Sequence, residues 1–415
     1  MSVANGRSLL AIPGPTNIPD RVLQAMMRPA EEIYSGPMVA LTDSLLADLK
    51  RVFATTARTY IYAANGHGGW EAAISNVLSR GDKVLVLASG RFAIGWGQMA
   101  AFMGADVEVL EGSWRAAIDP AVVEARLRLD RDHAIKAILM VQVDTASGVA
   151  NDVQAVRRAI DAAGHPALFM VDGVASLACM NFEMDAWGVD VAMSASQKGL
   201  MTPPGLAFVA ANDKAHKAHA TADMKTLYWD WTARQGAEHY MKYCGTPPEH
   251  LLFALRAALD MIMEEGLPAV WHRHALLAAA THAAVGKWAE GQVLGCNIID
   301  PAHRSPSVTP VVVNGADAGA ISTYAQQVCG VTLGSAIGDL SGRAFRIAHM
   351  GHVNAPMVLG TLSAIEMALQ ALDIPHGEGG VAAAVTSLAR GASLPGRPED
   401  KGVAETTLAL ATAPA

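Results

Sequence analysis

Two stretches decide how this chain is read: Ala167-Leu168-Phe169-Met170-Val171-Asp172-Gly173, and Asp190-Val191-Ala192-Met193-Ser194-Ala195-Ser196-Gln197-Lys198-Gly199. Each is a short apolar run bounded by a polar turn, the signature of a strand buried within a parallel sheet. Such sheets bind ligands at the carboxyl ends of their strands. The first run ends in an acid, and the second opens into a Ser-Gln-Lys turn. A lysine and a carboxylate so placed are what a pyridoxal phosphate (PLP) site requires. The amine of Lys198 forms the Schiff base, and Asp172 holds the pyridinium nitrogen charged.

The pattern extends in both directions. Runs at Thr59–Ala63, Lys83–Ala88, Asp106–Leu110, Ile135–Val141 and Leu206–Ala210 alternate with amphipathic stretches such as Gly69–Ser79 and Asp152–Ala163. Strands spaced by helices predict an α/β fold with a mainly parallel sheet. A long helix around Pro247–Gly266 leads out of this region, and strand-like runs at Ser307–Val313 and Ala344–Ala348 predict a smaller α/β domain. The expected organisation is an N-terminal segment 1–19, a large PLP-binding domain 20–265, a small domain 266–385, and a Gly-, Ala- and Pro-rich tail 386–415 expected to be poorly ordered.

Composition narrows the function. The 415 residues are 51% hydrophobic and 17% charged, enough for a large core. A net charge of −8 gives no electrostatic reason to expect nucleic acid or an anionic membrane as partner. Four scattered cysteines lack C-x-x-C pairs, which argues against a zinc site or a disulfide framework and suits a reducing cytoplasm. Neither a signal peptide nor a membrane span is expected.

Further residues complete the expected site. Asn65-Gly66-His67-Gly68-Gly69-Trp70-Glu71 follows a strand and opens a helix, where backbone N–H groups and the helix dipole favour an anion. Taken alone it could equally be a tight turn. Ser89-Gly90-Arg91-Phe92-Ala93-Ile94-Gly95-Trp96 offers Phe92 or Trp96 as an aromatic cover for the pyridine ring; either could instead be core, and spacing to the helix end at Gly104-Ala105 favours Phe92. In Asp144-Thr145-Ala146-Ser147-Gly148, Thr145 lies nearer the strand end than Ser147, although an ordinary capping turn would look the same. Asp172 could instead be a helix cap and Lys198 a surface lysine, but a carboxylate ending a Phe-Met-Val run is costly to bury without a cationic partner. Arg346, flanked by Phe345 and Ile347, faces away from them and suits the α-carboxylate of an amino or oxo acid. Arg343 is the expected decoy, and His349 and His352 are expected to be structural.

With these motifs assembled, from Pro13-Gly14-Pro15-Thr16-Asn17 to about Asp373, the chain resembles the class V aminotransferases of fold type I, and most closely the alanine–glyoxylate and serine–glyoxylate members. The resemblance implies that Asn65, Gly66, His67 and Gln197 surround the phosphate, that Phe92 stacks on the ring, and that Thr145, Asp172 and Val174 hold it. It implies a homodimer in which Tyr243 and Thr246 of Tyr243-Cys244-Gly245-Thr246 reach the neighbouring subunit's phosphate. Arg346 would bind the substrate carboxylate, and Tyr34 would line the substrate pocket where relatives carry His-Arg-Ser-Pro. The implied reaction is a ping-pong transfer of an amino group from serine, alanine or aspartate to glyoxylate or pyruvate. Pyridoxamine–pyruvate members tend to carry an acid where His67 stands here. A cysteine desulfurase of the same fold needs a thiol where this chain has Gly334-Ser335-Ala336-Ile337.

Overall fold

A computed structural model of the protein describes residues 2–393. Its centre is a seven-stranded sheet in the order Arg58–Ala63, Leu206–Ala211, Val191–Ala195, Leu168–Asp172, Ile135–Val141, Lys83–Leu87, Asp106–Leu110. Only Leu206–Ala211 runs against its neighbours. All of the predicted strands are present, with ends shifted by no more than two residues. Side chains alternate between two apolar layers. Ile138, Met140, Phe169 and Val171 meet Met38 and Leu45 of helix Pro37–Phe53 and Leu255 of helix Glu249–Glu265. Ala137, Leu139, Leu168 and Met170 meet Ile74 of helix Gly66–Val77 and Trp96 of helix Arg91–Met103. Burial on both faces explains why these strands read as unbroken apolar runs.

The helix expected from Gly69 starts at Gly66, because the side chain of Asn65 caps it by accepting from the Gly68 amide at 3.2 Å. The turn after Ile135–Val141 does not cap a helix. It is a hairpin, Val143–Asp144 against Val149–Ala150.

The small sheet has the order Leu9–Ala11, Val331–Ser335, Ala344–Ala348, Val308–Val313, Leu294–Cys296. The sequence showed only two of these strands. Leu9–Ala11 lies in the N-terminal segment, yet it pairs in parallel with Val331–Ser335, Leu9 opposite Val331. Helix Gly380–Gly391 packs on helix Leu267–Trp288 and continues past position 386, where the tail was expected to begin. Residues 394–415 lie outside the described residues. No helix among the described residues is long and apolar enough to cross a membrane.

A buried guanidinium fixes the loop beside the large sheet. Arg234 is 3% exposed, has its Cζ 4.1 Å from the centre of the Tyr62 ring, and donates to the carbonyls of Tyr228, Ile61 and Lys242. No carboxylate pairs with it among the described residues. Arg234→Met would leave these buried carbonyls without donors, and a stability loss of about 3 kcal/mol or more is expected from the denaturant midpoint.

Candidate active site

The site lies where the parallel strands end. One cavity is lined by Asn65, Gly66, His67, Trp70, Phe92, Thr145, Asp172, Val174, Gln197 and Lys198, among others. These residues follow five different strands of the large sheet, so the fold, and not any local motif, brings them together.

Asp172 is the last residue of its strand and is 2% exposed. Its carboxylate accepts from the Val174 amide at 2.6 Å and the Trp70 indole N–H at 2.7 Å. Burial pushes its pKa up to about 6, against the pull of these two donors. It is therefore a strand-end acid at the floor of the cavity and not a helix cap.

Lys198 is not a surface lysine. Its amine donates to the Pro13 carbonyl, and its own carbonyl accepts from the Thr16 hydroxyl at 3.0 Å. Gly14, at φ +99°, lies against the lysine stem, where an added Cβ would come 2.6 Å from Nζ. Burial lowers the amine's pKa to about 8, the Arg346 charge adds to this, and Asp172 opposes it. A neutral amine is thus accessible just above neutral pH, as a nucleophile and proton carrier needs.

Asn65, Gly66 and His67 open the helix Gly66–Val77, and its first-turn amides point to an anion site. Burial, and next the charge of Arg91, lower the pKa of His67. Gln197 contributes a buried Oε1 without a hydrogen-bond partner. Phe92, and not Trp96, reaches the cavity. Trp96 is fully buried, its ring 6.1 Å from that of Trp70 and nearly parallel to it.

Arg346 projects from the small domain and is 8% exposed. Its Nε donates to the Ser335 carbonyl at 2.8 Å and its Nη1 to the Thr145 carbonyl at 3.0 Å. Those carbonyls hold the guanidinium in place and leave Nη2 for a carboxylate. Burial brings its pKa down to about 10, with Asp144 opposing. Arg343 instead donates to the Asp339 carbonyl at the surface. His349 is buried between the Thr309 hydroxyl and the Pro306 carbonyl, a structural role.

Three expected residues stand apart from this cavity within one chain. The Tyr243 hydroxyl was expected to reach a neighbouring subunit. It is buried in its own subunit, 2.8 Å from the Thr42 hydroxyl. Thr246 is exposed, and Tyr34 is 63% exposed with its ring edge-on to Tyr240.

Two functional groups escaped the sequence pattern. Trp70 was read only as part of a glycine-rich turn, though a buried indole N–H calls for an acceptor. Asp144, fully buried, accepts from the amides of Phe92 at 2.8 Å, Ala93 at 3.0 Å and Ala146 at 2.9 Å. It thereby fixes the start of the helix that carries Phe92, and Gly90 leaves room for it, since a Cβ there would meet its Cγ at 2.3 Å.

The donor set fits PLP. A buried acid suits the pyridinium nitrogen, a depressed lysine the carbonyl carbon, a helix N-terminus the phosphate end, and Phe92 the ring face. The comparisons with known proteins agree. The family model for aminotransferase class-V matches residues 9–351. A serine–glyoxylate aminotransferase of Methylorubrum extorquens is 42% identical, over 88% of this chain and 91% of that protein. An L-aspartate–glyoxylate aminotransferase of Paracoccus denitrificans is 39% identical, over 90% and 94%. Among solved structures, pyridoxamine–pyruvate aminotransferase from Mesorhizobium loti superposes with a TM-score of 0.86 at 25% identity, covering 94% of this chain and all of that one. With a family model matched over most of its length and relatives about 40% identical over nine-tenths of it, the chain belongs to the class V aminotransferases, and it is a PLP-dependent enzyme of fold type I.

Proposed function

We propose that this aminotransferase moves the amino group of serine to glyoxylate, in a homodimer in the cytoplasm. The observation that carries the reading is Arg346, pinned by the Ser335 and Thr145 carbonyls beside the Lys198 cavity. One guanidinium can receive the α-carboxylate of donor and acceptor in turn, which is the economy of a ping-pong exchange.

When bound, PLP supplies an electrophilic carbonyl and a ring that accepts the electron pair left at the donor's Cα. Lys198 Nζ takes the Cα proton and returns it, with a pKa low enough to do so near neutrality. Asp172 stays ionised above about pH 6 and holds the ring nitrogen's proton. Phe92 covers the ring, and its helix start is fixed by Asp144. Arg346 orients the carboxylate and opposes its loss, which disfavours decarboxylation.

The serine–glyoxylate relative at 42% identity supports this donor and acceptor. A desulfurase would need a thiol next to strand Val331–Ser335, where Ile337 stands. Cys179, beside Gly199, is buried, and its thiol is pushed up to about 12. The exposed Thr246 and the exposed Leu227, Tyr34 and Tyr240 support a subunit contact. The four unpaired cysteines support a reducing compartment.

Half-reaction spectra with serine, alanine and aspartate test the donor: serine is expected to be fastest, and a faster aspartate reaction would overturn the choice. Light scattering tests the dimer. Arg346→Ala is expected to raise KM for both donor and acceptor, with a loss of up to about 3 kcal/mol for a charge-assisted pair. Steady-state kinetics with each substrate varied provide the check.

A further inference from the structure

Each oxygen of the Asp172 carboxylate has one donor from the protein before any ligand arrives, and keeps a lone pair free. Oδ1 accepts from the Val174 amide, in the turn that follows the strand. Oδ2 accepts from the indole N–H of Trp70, which comes from helix Gly66–Val77, the same helix whose N-terminus forms the anion site. At 2.7 Å this is a short contact to a charged acceptor. Indole N–H groups in this fold are not paired as a matter of course: Trp96 and Trp231 bury theirs without a partner. Trp70 is itself held rigidly, its ring 6.1 Å from Trp96 in a near-parallel stack and 4.5 Å from His67. Both Trp70 and Asp172 line the cavity.

We propose that Trp70 is a positioning residue for the reaction, its indole N–H fixing and keeping ionised the Asp172 carboxylate that holds the pyridine nitrogen. The inference rests on the reading of this cavity as a PLP site. Its physical content is a balance. Burial drives Asp172 toward its neutral form, and the neighbouring charge of Asp144 pushes the same way. The Val174 amide, the Trp70 indole and the Lys198 charge push back. Of the groups that push back, only Trp70 is a neutral side chain that can be removed without touching the backbone or the catalytic amine. One helix thereby links the two ends of the cofactor site: its first turn meets the anion, and its next turn sets the acid at the opposite end.

Trp70→Phe keeps the aromatic bulk and deletes the donor. The sign follows from Asp172. PLP binds with the carboxylate ionised, so affinity is full above the acid's pKa and falls as pH drops through it. Losing a donor raises that pKa, so the acidic limb of PLP association should move to higher pH.

The experiment is a titration of PLP-free protein with PLP from pH 5 to 8, followed by cofactor absorbance and fluorescence quenching, not by turnover. The expected shift is about one pH unit, or about tenfold weaker binding on the limb. The cofactor analogue with C–H in place of the ring nitrogen controls for phosphate and His67 titration: its profile should not move. In an Asp172→Ala background, Trp70→Phe should have no further effect on PLP binding. An unshifted limb would overturn the inference. So would an equal loss for PLP and the analogue, or an undiminished effect without Asp172, since both indicate a packing role alone. If the wild-type protein takes up no PLP, the cofactor reading itself fails, an outcome distinct from a failure confined to Trp70→Phe.

Discussion

Lys198→Ala is expected to lower transamination by about 10⁴-fold or more, the loss that follows when nucleophile and proton carrier disappear together. The structure gives reasons for so complete an effect. No other lysine lines the cavity among the described residues, so no neighbouring amine can substitute. The amine has been prepared at some cost: burial and Arg346 depress its pKa to about 8. Its stem is confined by Gly14 and its backbone is tied to Thr16. The visible absorbance of lysine-bound cofactor should vanish in the variant, while PLP still binds through the helix N-terminus and Asp172. Lys198→Arg should be no better, because an arginine keeps its charge at every working pH. Substantial turnover with visible absorbance in either variant would remove Lys198 from its role.

Asp172→Asn should have the second-largest effect, a fall in kcat of about 10²–10³, comparable to the removal of one aimed electrostatic group from a catalytic site. The substitution nearly preserves shape and removes charge. It also disturbs a matched set, because Trp70 and Val174 both donate to the carboxylate and an amide presents only one oxygen to them. KM should change much less than kcat, since the group proposed to bind the α-carboxylate, Arg346, stands on a strand of the other sheet. Attachment of the cofactor to Lys198 should survive, which separates this variant spectroscopically from Lys198→Ala. A kcat within tenfold of wild type would show that the ring nitrogen needs no anion here.

The large sheet was legible because burial on both faces writes itself into the sequence as uninterrupted apolar runs. Asp172 and Lys198 were legible because a charged residue ending such a run stands at the ligand-binding edge. Arg346 was legible from its alternation with Phe345 and Ile347, both buried in the small domain's core. The rest depends on contacts that no local pattern carries. Leu9–Ala11 is a three-residue edge strand whose partner lies near the other end of the described chain. Asp144 caps a helix in a different segment, so its role cannot be seen from its own turn. Trp70 looks like a core aromatic until its indole N–H is given a direction. Tyr243 likewise depends on a distant contact, its hydroxyl lying 2.8 Å from that of Thr42 within one subunit.

The placement of Leu9–Ala11 has a consequence for synthesis. This segment leaves the ribosome before the large domain, but the strand it pairs with, Val331–Ser335, is made only after that domain. Immediately after it come Pro13, whose carbonyl receives the Lys198 amine, and Thr16, which bonds the lysine's backbone. A nascent or truncated chain that has its lysine but not its final strands therefore lacks the anchor for the segment that seats that lysine. Competence to carry the cofactor in its working position therefore waits until a strand made before the large domain is captured by one made after it.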